Sequence, residues 1–343
     1  ATENSLVISE APAATEPAEA PDEVGAHVVI GCPATVVSGK RTVRRGCRQS
    51  GGGRWSKHTM RRACGRGLPR PRGGGMLAAT SVIRGPPMAA KSAWAAFPHD
   101  AKAYAYPGDA LKKAWPKLHA GDQEPYPDAK RAAALIAAAG KAAPKGLDAD
   151  ALAVALQDAW RAFHRGDFRA AFDAGEALGP VGASVAVKAL GIHATYLVDD
   201  DAEKLKRFER AATLAEAAVK ALPDEANAHY RHAFALGRYS QGLSIAKALK
   251  QGIAGKVRAA LDATLQREPK HAEAHTALAL YHAEIIDKIG AMIGGLTYGA
   301  KAAEAEKHIK EALKLTPASP IAHVEHGNVL LLLDENRNED AAA

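Results

Sequence analysis

The chain has few cysteines, and all three lie near its start. Cys32, Cys47 and Cys64 lack the close pairing that a zinc site needs, and an odd number does not make a disulfide framework. No apolar run reaches the roughly 18 to 20 residues needed to cross a bilayer. The first thirty residues are acidic and rich in Pro and Ala, which is not the pattern of a secretory signal. We therefore expect a cytoplasmic protein without a membrane span.

The sequence motifs of common enzyme classes are also missing. There is no GxSxG, no phosphate-binding GxxxxGK, and no GxGxxG between a strand and a helix. Two histidine pairs, His229/His232 and His323/His326, have the i,i+3 spacing that places both rings on one helix face. We interpret them as packing residues, with a metal-binding helical protein as the alternative. We thus predict a protein that is not an enzyme, needs no cofactor and has no metal site.

The basic character of the chain is confined to its start. Residues 1–99 contain fourteen Lys or Arg and six acidic residues, whereas residues 100–343 contain 31 basic and 32 acidic residues. Residues 1–87 are predicted to be a disordered or non-native leader, first acidic and then rich in Arg and Gly. The alternatives are a disordered basic tail, or a nucleic-acid-binding arm in which Trp55 stacks on a base. For the folded body we expect no nucleic-acid binding.

From about residue 128 the chain is rich in Ala, Leu, Lys and Glu, which favour helices, in blocks that end at Pro or Gly. Three segments share an Ala-His start and a proline six residues before the histidine: His229 with Pro223, His275 with Pro269, and His323 with Pro317. The histidines are 46 and 48 residues apart. This recurrence predicts a stack of similar helix pairs.

The helices that end at these prolines match the tetratricopeptide pattern, in which small residues lie where two antiparallel helices touch. The matching positions are Ala211, Ala215 and Ala218; Val257, Leu261 and Thr264; and Ala305, Ile309 and Ala312. The helices that follow place Ala233, Ala279 and Gly327 at another small-residue position. We therefore predict an all-α, tetratricopeptide-like superhelix of antiparallel helix pairs.

The repeats are longer than the standard 34 residues, so each has about 12 to 14 extra residues between its two helices. These insertions are residues 240–252 and 285–299. The second is apolar and contains Gly294-Gly295. It is interpreted either as an extension of both helices that turns at these glycines, or as an apolar wall of a ligand groove or oligomer contact.

With these features, residues 185–333 resemble the regulator-of-microtubule-dynamics family. They are also similar to the tetratricopeptide proteins associated with TRAP-type solute transporters, which share the long repeat and the Gly-Gly insertion. The resemblance implies the helical-repeat fold. The transporter-associated proteins additionally suggest a carrier.

Four regions are predicted along the chain. After the leader, residues 88–127 form an N-terminal cap segment with a short helix that has Leu111, Trp115 and Leu118 on one face. A segment that docks on a partner is the alternative for this region. Residues 128–334 form the repeat domain, and residues 335–343 a frayed or truncated tail.

The predicted function is a non-enzymatic scaffold or adaptor that binds a protein or peptide on the concave face of the repeats. A homo-oligomer is a further option. The alternative function is a carrier of a small apolar ligand, with residues 285–299 lining the site. The candidate partner-binding residues are Asn227, Tyr230, Phe234, Thr276, Leu280, Val324 and Asn328.

Overall fold

The structure is a computed structural model that describes residues 94–337 and 340–341. In these ranges the chain is all-α, as predicted, with thirteen α-helices and no strand. The helices are α1 (Ala110–Leu118), α2 (Ala129–Ala139), α3 (Ala149–His164), α4 (Phe168–Ala177), α5 (Ala183–Tyr196), α6 (Asp201–Ala221), α7 (Ala226–Gln241), α8 (Ile245–Lys250), α9 (Ile253–Arg267), α10 (Ala272–Ile289), α11 (Ala291–Tyr298), α12 (Ala302–Leu315) and α13 (Pro320–Leu333). The predicted leader, residues 1–87, lies outside the described residues.

Short polar side chains begin many of these helices. Asp128, Asp148, Asp167 and Asp200 each accept a hydrogen bond from the backbone N–H three residues later. Such a bond satisfies one of the free N–H groups of the first turn. Ser319 has the same role at the start of α13. These residues fix where the helices begin.

Helices that are neighbours in the sequence pack together in space. α3 packs on α4, α4 on α5, α5 on α6 and α6 on α7; further along the chain, α7 packs on α9, α10 on α12, and both α10 and α12 on α13. The positions predicted to be small or apolar are buried in α6, α9 and α12, for example Ala211, Leu261 and Ala305. Close approach of helices requires such side chains, so the sequence pattern identified the packing face correctly.

The repeated histidines make the same hydrogen bond three times. Nε2 of His229 lies 2.7 Å from the carbonyl oxygen of Pro223, and His275 and His323 repeat this bond to their own prolines at 3.0 and 2.9 Å. A carbonyl oxygen only accepts, so each Nε2 carries the proton. The recurrence in the sequence therefore corresponds to a recurring local geometry that ties the start of one helix to the end of the previous one.

Each insertion forms a short helix, and the second insertion also lengthens α10. Residues 240–252 contain α8, and residues 285–299 contain the end of α10 and α11. The turn expected at Gly294-Gly295 is wrong, because both glycines lie inside α11. The chain turns instead at Gly290 and Gly299, which have positive φ angles of 83° and 65° that favour glycine.

Candidate binding site

Five of the seven candidate partner-binding residues are buried. Asn227, Tyr230, Phe234, Thr276 and Leu280 are between 0% and 5% exposed. Their expected position on a face open to a partner is therefore wrong. Tyr230 packs against His271, with ring centroids 4.4 Å apart, and Phe234 packs against Phe208. A role for these residues in binding a partner stays a prediction.

The other two candidates lie on α13 and are accessible. Val324 is 52% exposed, and Asn328 is partly exposed and donates a hydrogen bond of 2.8 Å from Nδ2 to Oε2 of Glu325. Burial raises the pKa of Glu325 to about 7, helped by the charge of Glu284 and opposed by Asn328 and Arg238. The structure thus separates these two residues from the buried five.

The chain's own residues 119–124 cover the N-terminal halves of α7 and α10. Nδ2 of Asn227 donates to the carbonyl oxygen of Asp122 at 2.9 Å, and the backbone N–H of Glu273 donates to the carbonyl oxygen of Gly121 at 3.0 Å. Lys188, on α5, reaches the Asp122 carboxylate at 2.6 Å, and Arg231 contacts the same oxygen. At Asn227, where a partner contact was expected, the fold therefore holds a segment of the same chain.

The charges in this covered region balance one another. Burial alone would raise the pKa of Asp122, but Lys188, His119 and Arg231 hold it well below its usual range. Glu273 lies 3.7 Å from Lys188 and 3.8 Å from Arg231. All of these side chains are at most 3% exposed. The cluster is a buried ion-pair network that joins residues 119–124 to α5, α7 and α10.

The sequence offered one signal for this cluster. Lys188 is the single charged residue in the run SVAVKALGIHATYL, and α5 is buried around most of its circumference. A lone lysine in a helix that is apolar on all sides must find a carboxylate or lose its charge. The identity of that carboxylate was not readable, because Asp122 is 66 residues away in the chain.

An apolar cleft of about 210 Å³ opens between the C-terminal halves of α7 and α10. The two insertions complete it, since α8, the loop before it, the first turns of α9, and α11 all contribute to its lining. Its larger apolar residues are Leu243, Ile253, Val257, Leu280, Ile285 and Ile289. Small residues such as Gly237 and Ala277 also line it and leave space between the helices.

The polar groups of the cleft are paired with each other. Glu284 accepts hydrogen bonds from Nζ of Lys288 at 2.9 Å and from Nε2 of Gln241 at 3.3 Å. The Tyr281 hydroxyl donates to the carbonyl oxygen of Tyr298 at 3.2 Å. Because the lysine and the glutamate compensate each other, the cleft is suited to an uncharged apolar molecule.

The helix α11 also carries three exposed large apolar side chains within two turns. Met292, Ile293 and Leu296 are 75%, 53% and 85% exposed, while Tyr298 of the same helix lines the cleft. Exposed apolar side chains that lie close together indicate a contact surface.

The chain has no match among models of known families or among curated proteins. None of the helices in the described ranges combines the length and apolar character that a membrane crossing needs. Over the same residues, no group of three or more His, Cys, Asp or Glu side chains is arranged to hold a metal ion.

Proposed function

We propose that the protein is a non-enzymatic, tetratricopeptide-like binding protein, and that the cleft between α7 and α10 holds a small apolar ligand. The observation that carries this proposal is the cleft itself: the two insertions that distinguish these repeats from shorter ones also line it. Binding clefts for small molecules are mainly apolar with a few polar groups at fixed positions. The lining described above has this composition.

The size of the cleft limits the ligand. Its volume of about 210 Å³ is below the range of about 300 to 1,000 Å³ that is usual for drug-sized molecules. The ligand is therefore small, or its remainder extends past the mouth toward α11. Removal of apolar surface from water supplies the driving force, at about 25 cal/mol per Å².

The proposal is tested by placing a large side chain in the cleft at its edge. Ala254 is partly buried and lines the cleft, so Ala254→Phe places a ring in the ligand's space. Ala259 lies on the same helix with its side chain exposed, so Ala259→Phe is the matched control. The probe is N-phenyl-1-naphthylamine, an uncharged dye whose fluorescence rises in apolar sites. We expect the full chain and Ala259→Phe to bind the dye equally, and Ala254→Phe to bind it at least about tenfold more weakly.

Native mass spectrometry of the full chain, purified gently from a cell extract, then identifies the ligand class. An added mass of a few hundred daltons that is absent from Ala254→Phe supports the proposal. Equal dye binding by all three proteins would contradict it.

A protein or peptide partner is the second candidate function, and α11 is the observation that favours it. Its three exposed apolar side chains and the exposed Val324 on α13 are available for contact. A partner on either helix leaves the five buried candidate residues undisturbed. A cytoplasmic location and a homo-oligomeric state, both considered from the sequence, stay predictions.

A further inference from the structure

Two histidines from different helices meet near the C-terminal end of the fold. His275 is on α10 and His308 is on α12, and their Nδ1 atoms are 2.8 Å apart. Both rings are partly accessible to solvent. Neither residue belongs to the i,i+3 pairs noted in the sequence, because this pair forms across two helices and its members are 33 residues apart in the chain.

The hydrogen bond to Pro269 fixes the tautomer of His275. Its Nε2 carries the proton and donates to the proline carbonyl at 3.0 Å, so the lone pair of its Nδ1 accepts a hydrogen bond from Nδ1 of His308. Metal-binding histidines usually hold their second ring nitrogen in this way, with its N–H bound to a carbonyl or carboxylate. His275 is thus already oriented as a ligand.

A carboxylate also lies near the second nitrogen of His308. Nε2 of His308 is 4.0 Å from Oε2 of Glu304, one helical turn away, which is too far for a hydrogen bond. When a metal takes the lone pair of Nδ1, the ring proton moves to Nε2, and Glu304 accepts a hydrogen bond from it once the two side chains move closer together. Burial and the neighbouring His275 and His282 lower the pKa of His308 to about 4, and burial also lowers the pKa of His275.

We propose that His275 and His308 together bind a transition-metal ion of the zinc, nickel and copper group, with water in the remaining positions. Zinc–nitrogen bonds of about 2.0 to 2.1 Å at angles of about 90° to 109° separate two nitrogens by about 2.9 to 3.4 Å. The observed 2.8 Å requires only a few tenths of an ångström of adjustment. Glu304 and Glu311 lie near the pair and offset the charge of Lys307.

The test is calorimetric titration of the full chain with Zn²⁺, after alkylation of the three cysteines so that thiols do not compete. We expect one Zn²⁺ site in the wild type that is lost in His308→Ala and in His275→Ala. His229→Ala is the matched control, since His229 lies on α7 and makes the same kind of hydrogen bond to the carbonyl oxygen of Pro223. Glu304→Gln keeps both ligands and weakens the site about tenfold.

Helical content measured by circular dichroism verifies that each variant is folded, and Glu304→Gln supplies a test in which no histidine is removed. The same Zn²⁺ stoichiometry and affinity in His308→Ala as in the wild type would overturn the proposal. Loss of the site in His229→Ala would also overturn it, because the bond to the proline carbonyl and not the His275–His308 pair would then be responsible.

Discussion

The N-terminal halves of α7 and α10 are covered by residues 119–124, whereas their C-terminal halves border an open apolar cleft. In the covered half, Lys188 and Arg231 share the carboxylate of Asp122. In the open half, Gln241 and Glu284 join the two helices at the edge of the cleft through one hydrogen bond of 3.3 Å. The same pair of helices is thus covered by an ion-pair network at one end and borders an open cleft at the other. Local composition alone does not reveal this division.

The largest expected effect comes from breaking the covered half. Asp122→Asn removes the carboxylate closest to two buried cations and leaves them the more distant Glu273, which costs about 3 to 5 kcal/mol of unfolding free energy. Urea denaturation monitored by circular dichroism measures this cost. Asp158→Asn removes the ion pair of Asp158 with Arg161, in which the aspartate is 66% exposed, and is expected to change stability by less than about 0.5 kcal/mol. Similar losses in the two variants would mean that the buried network is not stabilising.

Two of the buried carboxylates, Asp122 and Glu325, have opposite pKa shifts. The folded pKa of Glu325 is about 7, above its usual 4.5, so the folded state binds more protons between these values. Its contribution to unfolding free energy therefore falls as the pH rises from about 4.5 to 7. We expect Glu325→Gln to gain about 2 kcal/mol relative to the wild type between pH 5 and pH 8.

Paired urea denaturation curves at several pH values measure this difference. Histidines with lowered pKa values, such as His193 and His282, act in the opposite direction, but they are present in both proteins and cancel. A difference that is constant with pH would contradict the assignment to Glu325, which faces Glu284, Arg238 and Asn328.

Two glycines with different surroundings are expected to respond in opposite ways to substitution by alanine. A Cβ at Gly191, in α5, would lie 2.2 Å from Cε1 of Phe234, so Gly191→Ala displaces a core ring. Such overpacking costs about 1 to 3 kcal/mol. A Cβ at Gly255, in α9, would have no neighbouring atom within 4 Å, so Gly255→Ala is expected to stabilise the helix by up to about 1 kcal/mol. Thermal denaturation of both variants shows whether the signs differ as expected.

The sequence predicted the parts of the fold that depend on local pattern. Spacing within a helix pair was enough to predict the all-α class and the small residues on packing faces, such as Ala211 and Ala305. It also identified the proline that precedes each repeated histidine. The position of Asp122 does not, since its two cations are 66 and 109 residues away. The space between α7 and α10 was equally hidden, because it depends on how α8 and α11 pack. The positions of the insertions indicated where a cleft could form. They did not indicate its shape.

The variant with the smallest expected effect on stability distinguishes the two candidate functions, ligand binding in the cleft and contact with a protein. Met292 and Leu296 are largely exposed, so Met292→Ser combined with Leu296→Ser is expected to change the unfolding free energy by less than about 0.5 kcal/mol. If α11 contacts a protein, this variant no longer retains the polypeptide that the wild-type chain captures from extract, while dye binding in the cleft is unchanged. If capture persists in this variant but is lost in Val324→Ser, α13 is the contact surface instead. Loss of dye binding with capture unchanged would mean that α11 serves the cleft, and the adaptor function would lose the observation that favours it.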